Sequence, residues 1–313
     1  MLSRIADSLY WLDRYMERTE GIIRILRTEY VLSLDKSQEN ITSWRSILEI
    51  FSHADEEKMQ LIEYNGNMVL QYVFSDTSNN NSLKVLLNRA RENARGAQDH
   101  ITKEVWEQVN HMYHSVNSPQ FVNRLTSQDA LPALDRMTDM ITLYNGVAGS
   151  TMPRSMGWYF MNIGKFIERC LITIEMTNLY FSNINYDLED TRDILYWRNL
   201  LLSLSGYELH LKTYRSNKHT LNVLDQVLFN REFTRSVHYS IAKMDHYLKH
   251  VITKNNPPQK EKLTKEFGRL MSLIEYADSE QVKNVSTENF LDLIRSQLLQ
   301  FNKLFAQVFF SYS

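Results

Sequence analysis

The chain is 313 residues long, enough for one large domain or two ordinary ones and ample to bury a core. Its 35 Lys and Arg against 37 Asp and Glu leave it close to neutral, which removes the bulk-charge argument for a nucleic-acid partner, and its single cysteine, Cys170, cannot form an intramolecular disulfide. With Asp7 inside the opening MLSRIADSLYW and no run near the roughly 20 apolar residues of a membrane span, the expectation is a soluble cytoplasmic protein with no membrane partner.

Nine glycines and five prolines interrupt a chain rich in Leu, Ile, Met, Glu, Lys and Arg, so helix is predicted throughout. The first long helix carries YWLDRYMERTEG, Tyr10 to Gly21. Its apolar stripe runs through Ile5, Leu9, Leu12, Met16 and Ile23, while Tyr10, Trp11, Ile22 and Ile25 make the opposite side apolar as well. Arg14, Glu17 and Arg18 fall among these residues, with Glu17 one turn from Arg14. If enclosed they need partners, because an ionised group stranded away from water is costly.

A Trp-Arg helix follows at WRSIL (Trp44 to Leu48), then a polar loop at SDTSNNNS (Ser75 to Ser82) and a helix with RENARGA (Arg91 to Ala97). His111 and His114 stand three apart with Glu107 a turn earlier, a metal-compatible spacing that lacks an assignable third ligand. NGVAGSTMP (Asn145 to Pro153) reads as a helix-to-helix hinge, with Thr151 capping a helix that opens at Pro153. It opens a helix, as an anion loop would, but lacks the lysine of a phosphate loop.

MNIGKFIERCLI (Met161 to Ile172) then repeats the first charged arrangement as Lys165, Glu168 and Arg169. Cys170 lies close to the buried stripe of that helix with no assignable base, so it is not read as a nucleophile. SNINYDLED (Ser182 to Asp190) is a loop, WRNLL (Trp197 to Leu201) a second Trp-Arg helix, and REFTRSV (Arg231 to Val237) a second Arg-Glu-x-x-Arg helix. His246 and His250 are again spaced for a metal without a third ligand. After the loop TKNNPPQK (Thr253 to Lys260), a stripe of Leu291, Ile294, Leu298, Phe301, Phe305, Val308 and Phe309 predicts amphipathic helix packing back on the bundle.

Glu17 and Glu168 stand 151 apart, and in that register Leu9, Leu12, Met16 and Ile23 fall on Phe160, Ile163, Ile167 and Ile174. Trp44 and Trp197 recur at 153, Arg91 and Arg231 at 140, in the same order. The expectation is an all-α fold, one compact bundle of about ten helices with a pseudo-twofold internal repeat. The repeat halves are about 1–150 and 151–253, with C-terminal helices over 254–313.

YWLDRYMERTE, ARENARGAQDHITKEVWEQVNHMY (Ala90 to Tyr113), TMPRSMGWYFMNIGKFIER (Thr151 to Arg169) and REFTRSV together resemble the motifs of the alpha-E family, a helical domain named for a Glu-Arg motif. The departures lie in the second half: Ser155 and Met156 where the family usually has an acidic pair, Lys165 after Gly164 where it has Gly-Arg, and Leu171 where an acid is common. The resemblance implies a partner, since members are encoded beside circularly permuted ATP-grasp ligase-like proteins and near transglutaminase-like peptidases. Ribosome-independent amide-bond formation is the implied theme.

Two function classes follow. In the first, the chain is an accessory or interaction protein for an ATP-grasp ligase-like partner in peptide or amide modification, its arginines docking an acidic peptide or the partner. In the second, it is a stand-alone enzyme on an anionic substrate with Glu17 or Glu92 as acid/base. The first-half set (Arg14, Glu17, Arg18, Arg91, Glu92, Arg95) is either a closed structural network or, through its surplus of arginine, an anion site. The second-half set (Lys165, Glu168, Arg169, Arg231, Glu232, Arg235) is expected to be the weaker of the two. No cofactor or metal is read from the sequence.

Overall fold

The computed structural model describes residues 1–34, 43–52, 54–125, 130–252 and 258–310, and its regular elements among them are all helical. In chain order these are α1 (Ser3–Leu34), α2 (Arg45–Phe51), α3 (Glu56–Ile62), α4 (Gly66–Phe74), α5 (Leu83–Gly96), α6 (Lys103–Val116), α7 (Pro119–Leu125) and α8 (Leu131–Thr151). Then come α9 (Met156–Ser182), α10 (Ile194–Ser203), α11 (Tyr207–Thr213), α12 (His219–Leu228), α13 (Val237–Val251), α14 (Pro258–Glu275), α15 (Ser279–Val285) and α16 (Thr287–Phe309). This exceeds the ten or so expected. The surplus consists of pieces such as α3, α7, α11 and α15, each seven residues long and too short to show a readable apolar period.

The chain divides into two compact units, residues 11–158 and residues 1–10 with 159–313. In the 11–158 unit, α5 packs on α6 and α6 on α8, while α4 gathers α2, α3 and α7. Side chains of Ser82 and Thr102 cap α5 and α6, as short polar residues before a helix should. Trp44, at the N-cap of α2, lies 6.5 Å from the Tyr30 ring of α1 and fills the space a Cβ on Gly66 would need.

Two expectations fail around residue 150. α8 runs through Gly146 and Gly149, and Thr151 ends it, donating back to the Val147 carbonyl at 2.9 Å, so Thr151 caps nothing downstream. An isolated glycine costs a helix only about 1 kcal/mol, which packing overrides. The stop comes at Met152 and Pro153, and α9 starts at Met156, three residues later than expected.

In the second unit α14 packs on α13 and α16, and α12 on α10, α13 and α15. The α16 stripe buries Leu291, Ile294, Leu298, Phe301 and Phe305 as its spacing requires, while Val308 and Phe309 stay half-buried. Phe301 meets Phe267 of α14 at 4.9 Å, and Phe305 meets Tyr10 at 5.6 Å. Trp197 is fully buried 4.7 Å from Phe181. SDTSNNNS and SNINYDLED are loops as expected, and residues 253–257 of the third lie outside the described residues.

REFTRSV is not a helix. Asn230 Oδ1 accepts the backbone N–H groups of Glu232 and Phe233, both at 2.9 Å, and Ser236 caps α13 through Tyr239 N at 2.9 Å. That Asx turn followed by a cap holds the segment as a loop, with Phe233 buried as its anchor.

Candidate functional site

α1 is buried around most of its circumference, which is why charged residues on it lie inside. Asp13, Arg14 and Glu17 are 5%, 4% and 2% exposed, and Arg18 is half-buried. Tyr144 of α8 donates to Asp13 Oδ1 at 2.5 Å. Burial, and then the adjacent Asp13 carboxylate, push the Tyr144 hydroxyl well above its ordinary pKa, so it stays a donor. Arg18 Nη1 donates to Asn81 Oδ1 at 2.8 Å, and Asn145 Nδ2 donates to Glu20 Oε2 at 3.0 Å. Arg14 also lies over the Trp11 ring at 4.6 Å.

Arg91, Glu92 and Arg95 sit on α5 and are engaged differently. Arg91 Nε donates to Asn110 Oδ1 at 2.7 Å, and its guanidinium lies over Tyr113 at 4.6 Å and Trp106 at 5.7 Å. Glu92 pairs with Arg95 at 2.6 Å and more loosely with Arg91 at 3.5 Å, with Arg95 and Glu92 both well exposed. Among the described residues, the hydrogen-bond and ion-pair partners of these three are each other and Asn110. The six first-half residues therefore fall into an enclosed set on α1 and an outward set on α5.

The sequence reading missed Asn110, Trp106 and Tyr113, though their spacing of four and three along α6 marks one helical face. Asn81 and Tyr144 were missed too. Nothing local ties either to α1.

In the second unit Glu168 is 3% exposed on α9, with Lys165 and Arg169 half-buried. Arg169 Nη1 donates to the Thr234 carbonyl at 3.3 Å and Thr173 Oγ1 to the Arg235 carbonyl at 2.8 Å, so α9 holds the REFTRSV loop by its backbone. Arg231 turns to α14, pairing with Glu275 at 2.5 Å, and Glu275 also accepts from His238 Nε2 at 2.8 Å. These contacts, the His238 hydrogen bond foremost, hold the Glu275 carboxyl below its usual range. Glu232 is exposed.

Cys170 is fully buried, and burial pushes its thiol far up, the opposite of an activated nucleophile. His111 and His114 are exposed, while His250 stacks on Tyr159 at 4.5 Å with His246 beside it at 5.1 Å. Among the described residues no three His, Cys, Asp or Glu side chains are arranged to hold a metal, and no helix is long and apolar enough to cross a membrane.

The Alpha-E family model, described as a predicted alpha-helical domain with a conserved ER motif, matches residues 1–310. The chain is similar to protein Mb2597 of Mycobacterium bovis and protein Rv2567 of Mycobacterium tuberculosis, each 21% identical over 306 residues. In both cases the match covers 91% of this chain and 34% of the relative, so the chain spans about a third of the length of the curated relatives it matches. No solved structure matches.

Proposed function

Because the chain belongs to the Alpha-E family, we propose that it is an accessory module working with an ATP-grasp ligase-like partner in ribosome-independent peptide or amide-bond modification. In this reading the α5 face, Arg91 with Glu92 and Arg95, docks acidic groups of a peptide or of the partner. The observation that carries it is the posture of Arg91. Its Nε is fixed by Asn110 and its plane rests on aromatic rings, so its outer N–H groups are pre-oriented as a fork for a carboxylate. That the mycobacterial relatives are about three times as long as this segment suits a module used beside other domains.

The stand-alone enzyme reading, with Glu17 or Glu92 as acid/base, has less to draw on. Glu17 is enclosed, and Glu92 is held by Arg95 at 2.6 Å. We further propose that residues 1–313 form one Alpha-E domain built from duplicated halves. Tyr30 against Trp44 and Phe181 against Trp197 are parallel contacts 151 and 153 positions apart, and fully buried Thr19 corresponds to fully buried Cys170.

The test is copurification with the ATP-grasp ligase-like partner and calorimetric titration with a Glu-rich peptide. Binding by the wild type that Arg91→Ala weakens about tenfold supports the docking face. Absence of both peptide binding and complex formation overturns it.

A further inference from the structure

Glu92 lies between the two arginines of the α5 face and is shared unequally by them. Its Oε2 accepts from Arg95 Nη2 at 2.6 Å, whereas its Oε1 meets Arg91 Nη1 only at 3.5 Å. Residues three apart on a helix are neighbours and adjacent ones point about 100° apart, so Glu92 reaches Arg95 directly and grazes Arg91. A charge-assisted pair of this kind closes to about 2.7–2.9 Å, and the Arg91 contact falls outside that range. Arg91 does not need Glu92 for its posture, because Asn110 accepts from its Nε at 2.7 Å and the Tyr113 and Trp106 rings lie 4.6 and 5.7 Å from its guanidinium. Its outer edge is therefore set from α6 and partly covered by a carboxylate of the chain itself. An incoming carboxylate that meets this edge with both oxygens replaces one long contact by two short ones, while Glu92 keeps its bond to Arg95.

We propose that Glu92 is an internal competitor for the ligand: it covers the Arg91 fork until a carboxylate of an acidic peptide displaces it, and so weakens the binding of that peptide. This inference rests on the docking reading of the α5 face and adds to it how that face is regulated.

The test is calorimetric titration of the full chain with a Glu-rich peptide at one ionic strength, on wild type, Glu92→Gln, Arg91→Ala, the double variant and Glu107→Gln. Glu92 is 45% exposed and glutamine keeps its size, so the variant keeps the fold, which circular dichroism checks. Glu107 is 61% exposed on α6, next to Trp106 in sequence, and controls for loss of a negative charge. Glu92→Gln is expected to tighten binding roughly three- to tenfold, the gain disappearing when Arg91→Ala is added, while Glu107→Gln stays within about twofold of wild type. Binding by Glu92→Gln where the wild type shows none supports the proposal as well. Unchanged affinity in Glu92→Gln, with Arg91→Ala still weakening the peptide, overturns the competitor and leaves the docking face standing. Equal gains from Glu92→Gln and Glu107→Gln, or a gain that survives Arg91→Ala, overturn it too, since net charge is then the cause. No binding by either wild type or Glu92→Gln up to about 10 mM overturns the docking reading along with it.

Discussion

In the 11–158 unit the Arg-Glu-x-x-Arg letters ride on a helix and hold the Arg91 guanidinium over aromatic rings, whereas in the 159–313 unit the same letters lie in a loop and Arg231 closes onto Glu275. The Glu-Arg helix that precedes them differs far less: Glu17 and Glu168 are both buried. The contrast shows that presentation of a charge is set by the local backbone. Ala90 lets α5 continue, while Asn230, at the corresponding place before Arg231, turns the chain. A buried acid on a long helix is a matter of scaffold in both units, and the second segment decides what faces outward.

The largest effect should come from the enclosed charges. Glu17→Ala is expected to cost about 3–5 kcal/mol in urea unfolding, since Arg14 beside it is nearly inaccessible to water. Glu168→Ala should cost less, about 1–3 kcal/mol, because Lys165 and Arg169 are half-buried and can reach solvent. Equal costs would erase this difference between the units.

Glycine substitutions come next. A Cβ on Gly206 would meet Gln226 Nε2 at 2.6 Å and the Phe233 ring at 2.8 Å, so Gly206→Ala should destabilise by about 1–3 kcal/mol. Nothing lies within 4 Å of a Cβ on Gly149, and Gly149→Ala should be neutral or stabilise by up to about 1 kcal/mol. Thermal melts of the two variants read both signs.

On the docking face, Arg91→Ala should weaken acidic-peptide binding about tenfold, while Arg231→Ala, whose guanidinium is already committed to Glu275, should change it less than about twofold. Comparable losses from both would mean the second unit also docks.

The mildest expected effect is a pH slope specific to the second unit. His210 is buried, its Nδ1 bonded to Gln226 Oε1 at 2.8 Å and its Nε2 without a hydrogen-bond partner among the described residues, and burial lowers its pKa below 6.5. Above about pH 6.5 its contribution to stability is whole; as pH falls the unfolded chain takes the proton first, and stability declines until the folded ring protonates. Urea midpoints should therefore drop over the interval just below about pH 6.5, and His210→Gln should flatten that slope. A wild-type midpoint constant across the interval would contradict it. Glu275, its pKa depressed, keeps its contribution above about pH 4.5 and loses it only in stronger acid.

The helical class was legible from glycine and proline scarcity, and the burial of Arg14 and Glu17 from the apolar residues on both sides of α1. The α16 stripe was legible for the same reason, a long period-consistent pattern. The REFTRSV loop was not, because its likeness to RENARGA outweighed two local signals, Asn230 and Ser236, that mark a turn and a cap. The course of α8 was misread because a glycine pair weighs more in a local reading than in a packed helix. The partners Asn81, Asn110, Tyr144 and Glu275 lie 19 or more residues from the groups they bind, and such pairings are decided by packing, which a linear pattern does not carry.

Cys170 gives the molecule an internal clock. As the sole thiol, sealed within α9 and held protonated, it can be alkylated only when the helices around it open. Its labelling rate, followed with a thiol reagent under native conditions, therefore reports the frequency of that opening rather than the chemistry of the sulfur. Without any engineered probe, it would also show whether a bound partner slows the breathing of this unit.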